Sequence, residues 1–193
     1  MTPEQIYVYT EEIYIHAQVA LSNYATFQNV VADPRSRQSR EAWVFLQGFL
    51  SHFGMVSKLL YAPSAREKMS KDRAKELRDY LDTNEESALN DRDARNAIEH
   101  LDERLDNWLS KEGKDILECV FENRVGYEFL QRDEWIIRRV YLIEEQVFMT
   151  EEKDGPKEMH LNPIVNELSR ICVLCNEKLD GHKPYHMIMP NHG

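Results

Sequence analysis

Glycine and proline are scarce in this chain, seven of each in 193 residues. Helix breakers are therefore few and helix formers dominate, which predicts a mainly helical protein. Cysteine is rarer still. Three residues, an odd number, do not make a disulfide scaffold, and a reducing cytoplasm is the expected compartment. No apolar run approaches the roughly 20 residues of a membrane span. The acidic start Met1-Thr2-Pro3-Glu4-Gln5 lacks the apolar stretch of a signal peptide, so none is expected. Positive charge is also short: 24 Lys and Arg against 34 Asp and Glu, a net charge of −10. That argues against broad, non-specific attraction to nucleic acid, which rests on Lys and Arg releasing counterions.

What the chain does have is enough apolar residues, 42%, to bury one real core, with room for an appendage. Its charge is also uneven. Seven cations (Lys58, Arg66, Lys68, Lys71, Arg73, Lys75 and Arg78) stand against three acids over residues 58–78. Arg35, Arg37 and Arg40 add a short basic cluster. Residues 82–106 are the reverse, with nine acids against Arg92, Arg95 and Arg104. The plain reading of the 58–78 run is a solvated helix face.

Start and stop signals divide the chain. Thr2, Pro3 and Gln5 form a capping box with proline at the first helical position. They predict a helix to about Ala32, with Ile6, Ile13, Ala17, Ala20, Leu21, Tyr24 and Phe27 facing inward. Asp33-Pro34 repeats the start signal. A second helix is predicted to about Tyr61, through Trp43, Leu46, Phe49, Leu50, Phe53, Val56 and Leu60, closed by Pro63. Ser64-Ala65-Arg66-Glu67 is a further capping box opening a shorter helix to about Leu81. A turn over 82–90 leads to a helix over 91–110, ending near Gly113. Beyond it, 116–121, 127–130 and 135–149 are rich in β-branched and aromatic residues and read as extended segments. Residues 151–156 read as a hairpin-type turn. Met159 and Leu161 begin a return, and Pro163 starts a final helix through Ile164, Leu168, Ile171, Val173 and Leu174 to Gly181. The expected architecture is a helical bundle over 1–112 and a β-hairpin/helix extension over 113–193, packed on the bundle.

Within the 91–110 helix lies Arg95-Asn96-Ala97-Ile98-Glu99-His100. At about 100° per residue, Ile98, Leu101, Leu105, Trp108 and Leu109 make one inward stripe. His100 lies roughly 130° from its centre and Asn96 almost opposite it. Asn96 and His100 stack on one face, four residues apart. Arg95, at the stripe's edge, can swing across. His100 thus faces solvent or a second packing surface rather than its own core.

Arg95-Asn96-x-x-x-His100 resembles the Arg-polar-x-x-x-His motif of HEPN domains, helical bundles of which many are ribonucleases. The order of helices before it is similar. The continuation from Glu99 to Asp106, the stretch from Phe49 to Leu60, and Val147-Phe148 with Met159-His160-Leu161-Asn162-Pro163-Ile164 are similar to an uncharacterised bacterial HEPN-like subgroup. The resemblance implies an antiparallel bundle and a homodimer in which two copies of Arg95 and His100 form one composite site. The activity it implies is metal-independent cleavage of single-stranded RNA, in a defence or toxin-type role. Some HEPN toxins carry a tyrosine two residues after the histidine, where an antitoxin modifies them. Asp102 stands there in this chain, which counts against that regulation and leaves a protein partner or another antitoxin open.

The residue types suit such chemistry. The 2′-hydroxyl must lose a proton, the leaving 5′-oxygen must gain one, and the phosphorane-like transition state needs positive charge. Histidine titrates near neutrality and can do the first two. Arginine binds phosphate through its planar fork. No cofactor is required. Asn96 can orient His100 or donate to a phosphate oxygen. Glu99 and Glu103 can raise the pKa of His100 but also repel RNA. The competing reading is a non-catalytic dimeric module that binds RNA, a nucleotide or a protein. In that reading Arg95–Glu99 is an ordinary surface pair, worth about 0.3–0.5 kcal/mol.

Cys172-Val-Leu-Cys175 followed by His182 and His186 has the ligand types of a zinc site. The six-residue gap between the pairs is shorter than the roughly 12 of common zinc fingers. The competing reading takes Cys172 and Cys175 as small buried residues of the last helix and the histidines as tail residues. Cys119 is expected to pack in a strand. Tyr7, Tyr9, Tyr14 and Tyr24 are expected in core or interface.

Overall fold

A computed structural model describes residues 1–62, 68–91, 105–106, 109–110, 115–130, 135–152 and 155–180. Among these the chain is mainly helical, with one small sheet and a final helix. Helix α1 spans Pro3–Ala32 and helix α2 Arg40–Leu60. The capping box forms as the sequence predicts: Gln5 N donates to Thr2 Oγ1 and Thr2 N to Gln5 Oε1. The second helix starts later than Asp33-Pro34 suggests. Asp33 instead accepts from the backbone N of Arg35, and its backbone oxygen accepts from Ser36 N and Arg37 N, which closes a turn. Ser39 then caps α2 by accepting from Ala42 N.

The two helices run antiparallel. His16 meets His52, whereas Tyr24, further along α1, meets Phe49, further back on α2. Trp43, Leu46, Phe49, Leu50, Phe53, Val56 and Leu60 are all buried, as their helical spacing predicts. On α1, Ile13, Ala17, Ala20, Tyr24 and Phe27 are buried, while Ile6 and Leu21 are only half-buried. Helix α3, Lys68–Tyr80, sets Ala74 and Leu77 against the bundle. A turn and a short 3-10 helix, Ala88–Asn90, follow, with Leu89 fully buried.

The extended segments form a four-stranded sheet in the order β1 (Asp115–Phe121), β2 (Trp135–Leu142), β3 (Val147–Glu152) and β4 (Gly155–His160). β1 and β2 are parallel, and the other pairs antiparallel. Residues 127–130 are not extended. They belong to a seven-residue helix, α4, Arg124–Leu130, on the crossover that parallel strands require. The run 135–149 is two strands joined by a turn whose Gln146 has φ +51°. The expected hairpin is present between β3 and β4, where Glu152 pairs with Gly155 and Gly155 has φ +111°, a conformation glycine adopts freely.

Alternation sorts the sheet's faces. Tyr141, Phe148 and Met159 point to the bundle and join its core. Val140, Leu142, Val147 and Met149 pack on the other side with Tyr127 of α4. Helix α5, Leu161–Asp180, returns along α1 and buries Leu161, Ile164, Leu168, Ile171, Cys172 and Cys175. Val173, predicted inward, is 58% exposed because it lies off that stripe. Residues from both sides of position 112 share one core. No helix among the described residues is long and apolar enough to cross a membrane.

Candidate functional site

Arg95, Asn96, Glu99, His100 and Glu103 lie outside the described residues. The described chain flanks them on both sides. Asp91 is the last described residue before the motif, and Leu105 and Asp106 are the first after it. Leu105 and Asp106 are helical, and Ser110 N donates to Asp106 O at 3.0 Å. Leu105, predicted inward, is only half-buried. Leu109 is 69% exposed, so the inward stripe does not extend to it.

The turn over 82–90, which delivers the chain to the motif, is held by polar contacts from α2, α3 and α5. Glu167 of α5 is their centre. Its Oε1 accepts from Thr83 Oγ1 and Ser87 Oγ, both at 3.2 Å. Arg170, one turn on, donates Nε to Oε2 at 2.8 Å and Nη2 to Oε1 at 2.7 Å. Arg170 holds the Glu167 carboxyl below the usual carboxylate range, with the two hydroxyls adding to the effect. Ser87 also caps the 3-10 helix, where its Oγ accepts from Leu89 N. At the end of α2, Tyr61 donates its hydroxyl to Asn84 O at 2.8 Å and stands beneath Arg78, 5.3 Å from guanidinium carbon to ring centre. Arg78 also donates to Leu60 O at 2.6 Å, satisfying a helix-end carbonyl, and pairs with Glu85 at 2.5 Å.

Two of the grooves beside this turn lie towards α5. One of about 600 Å³ is lined by Asp82, Thr83, Asn84, Ser87, Glu167 and Arg170, among others. The other, about 340 Å³, includes Asn90, Asp91, Glu158 and His160. Both share Ser87, Ala88 and Pro163, so they meet at the start of α5. Glu158 is tied to Arg124 of α4 at 2.7 Å, and Arg124 also holds Glu145 at 2.8 Å. The walls are rich in carboxylates, in line with the acid-rich sequence here.

The C-terminal cysteines do not face these grooves. Cys172 and Cys175 are buried in the core, and burial pushes the Cys175 thiol up to about 12, far from the thiolate a metal needs. Gln18 Nε2 lies 3.1 Å from Cys172 Sγ. His182 and His186 are outside the described residues. Among the described residues, no group of three or more His, Cys, Asp or Glu is placed to hold a metal. Cys119 is half-buried in β1 with its thiol pKa raised by burial, as a packed strand residue. Tyr24 is in the core, and Tyr9 lies under Arg73.

Two constellations have no counterpart in the sequence reading. The Thr83–Ser87–Glu167–Arg170 network joins positions some 80 apart. Its only local sign is the i,i+3 pair of Glu167 and Arg170. The second is His16 and His52, whose Nδ1 atoms lie 2.8 Å apart across the α1–α2 seam, one donating to the other, with Glu12 3.9 Å from His16 Nε2. Burial and the neighbouring His16 hold the His52 pKa below its ordinary value. Their 36-residue separation carries no motif.

No family model, no curated protein and no solved structure matches this chain.

Proposed function

We propose that the chain is a HEPN-like protein in which Arg95 and His100 of two copies build one composite site, and that this site cleaves single-stranded RNA without metal. The observation that carries the reading is the Arg95-Asn96-x-x-x-His100 pattern following two long antiparallel helices. α1 and α2 supply those helices, and the anchored turn leads directly to the motif. Support also comes from helix periodicity, which turns His100 away from the apolar stripe. In this reading one His100 takes the 2′-hydroxyl proton, the other protonates the leaving 5′-oxygen, and the two Arg95 guanidinium groups stabilise the equatorial oxygens. Asn96 holds His100 or a phosphate oxygen, while Glu99 and Glu103 bias the histidine toward its protonated form. The expected setting is cytoplasmic, as part of a defence or toxin-type system with a protein partner.

A second reading, a non-catalytic dimeric module, is favoured by one specific observation: the carboxylate-rich walls beside the turn that precedes the motif in sequence, which repel a polyanion. One experiment separates the two. Purified protein is incubated with varied single-stranded RNAs in EDTA, beside a His100→Ala variant of matched stability. Cleavage leaving 2′,3′-cyclic phosphate ends, lost in the variant, supports the catalytic reading. Intact RNA with a confirmed dimer, together with an Arg95→Ala variant that alters dimerisation or ligand affinity, supports the module.

A further inference from the structure

An RNA strand brought to Arg95 and His100 must approach a protein of net charge −10, so it needs a local path of opposite sign. Helix α3 is where the cations concentrate, and its ion pairs can be followed one by one. Lys68 is paired with Asp72 at 2.8 Å and Arg78 with Glu85 at 2.5 Å. Glu76 is taken by the Met1 amino group. Lys71, Arg73 and Lys75 then remain on the helix, against Asp79. Lys71 and Lys75 are exposed and have no carboxylate partner among the described residues. Arg73 lies over the Tyr9 ring at 5.3 Å and donates to the Lys58 carbonyl. It too has no carboxylate among the described residues, and its Nε is buried without an acceptor there.

The position of these charges matters as much as their sum. Lys71, Ala74 and Arg78 recur at i, i+3 and i+7 and so share one face of α3. That face lines a groove of about 230 Å³ whose far wall is Tyr61, Glu85 and Asn90. Asn90 precedes Asp91, where the chain enters the motif segment. The uncompensated Lys71 therefore borders a groove whose opposite wall includes Asn90, with Lys75 one turn along the same helix.

We propose that α3 is a docking surface for the single-stranded RNA substrate, with Lys71 and Lys75 binding its phosphates electrostatically. This rests on the RNA reading given above. The occupant is a nucleic-acid backbone because these two residues offer point charges on flexible stems, the chemistry that neutralises phosphate.

The test uses the whole protein and a fluorescein-labelled 20-nucleotide oligouridylate, with binding measured by anisotropy from 50 to 300 mM KCl for the wild type and a Lys71→Gln/Lys75→Gln double variant. On single strands each phosphate contact contributes a salt slope of about 0.7, equivalent to about fivefold in affinity near 0.1 M salt. The double variant is thus expected to bind about 25-fold more weakly, with a slope lower by about 1.4. Its thermal stability should be unchanged, since neither lysine holds an ion pair among the described residues. A Lys68→Gln variant, which loses a cation already neutralised by Asp72, should bind nearly as the wild type does. If the wild type binds RNA and the double variant binds it equally, with the same slope, α3 is not the docking surface, while the composite-site reading stands. If the wild type neither binds nor cleaves RNA, both fall.

Discussion

Replacing Glu167 probes whether the turn before the motif is held as described. Glu167→Ala removes the acceptor shared by Thr83 and Ser87 and leaves Arg170 without its carboxylate. Each hydroxyl bond, long at 3.2 Å, contributes about 1 kcal/mol net, below the roughly 1.5–3 kcal/mol of a well-formed bond to a charged group. Glu167 is 19% exposed but Arg170 is 39% exposed, so solvent screening reduces their ion pair to no more than about 1 kcal/mol. The expected loss is about 2–3 kcal/mol. Glu167→Gln keeps an oxygen for Thr83 and Ser87 and gives up only the charge, so about 1 kcal/mol should be lost. The sign with pH follows from the lowered carboxyl pKa. Above the unfolded-state value, near 4.3, the full contribution is present; it is lost as pH falls through the lower folded-state value. Urea unfolding at pH 7 and pH 4 measures all of this, with amide exchange at Leu89 and Asn90 reporting the turn itself. If Glu167→Ala cost under about 0.5 kcal/mol, or if the Gln and Ala variants were equal, the carboxylate would not be the anchor.

Two further outcomes follow from the geometry. The His52 pKa lies below its ordinary value, so the folded state resists protonation. Stability should be complete above about pH 6.5 and decline as pH falls through the folded-state value, and His52→Gln should flatten that slope in a melting-temperature profile. A slope unchanged in the variant would remove the pair from the explanation. Gln38 pairs with both backbone groups of buried Val120, donating to its oxygen and accepting from its N at 3.0 Å. Gln38→Ala should therefore cost about 1–3 kcal/mol in denaturant unfolding, and a loss within error would show that water replaces the amide there.

Periodicity makes the bundle legible. Apolar residues at helical spacing specify the inward stripe of α2, and Thr2 with Gln5 specifies the start of α1. Boundaries are harder where two residues can do one job. Asp33-Pro34 is a sound helix start by type, but Asp33 closes a turn with Arg35, and Ser39 takes the cap. Tyr127 and Phe129 carry strand propensity, yet the parallel pairing of β1 with β2 demands a crossover, and that tertiary requirement makes 124–130 a helix. Val173 and Leu109 read as inward because they are apolar, a property that surfaces share. Of the candidate site, the motif is legible as residue types and spacing. The Glu167 network is not, because Thr83, Ser87, Glu167 and Arg170 are joined by the return of α5 and by no local pattern. His16 and His52 meet only because α1 and α2 run antiparallel.

The central claim is that catalysis needs groups from two copies. Mixing tests it most directly. Wild-type protein and affinity-tagged His100→Ala protein are unfolded and refolded together in known proportions, and RNA cleavage in EDTA is measured against the wild-type fraction. A composite site requiring both histidines predicts activity falling with the square of that fraction, to about one quarter in an equal mixture. Activity proportional to the wild-type fraction, about one half in the same mixture, would place a complete site in each chain and contradict the account.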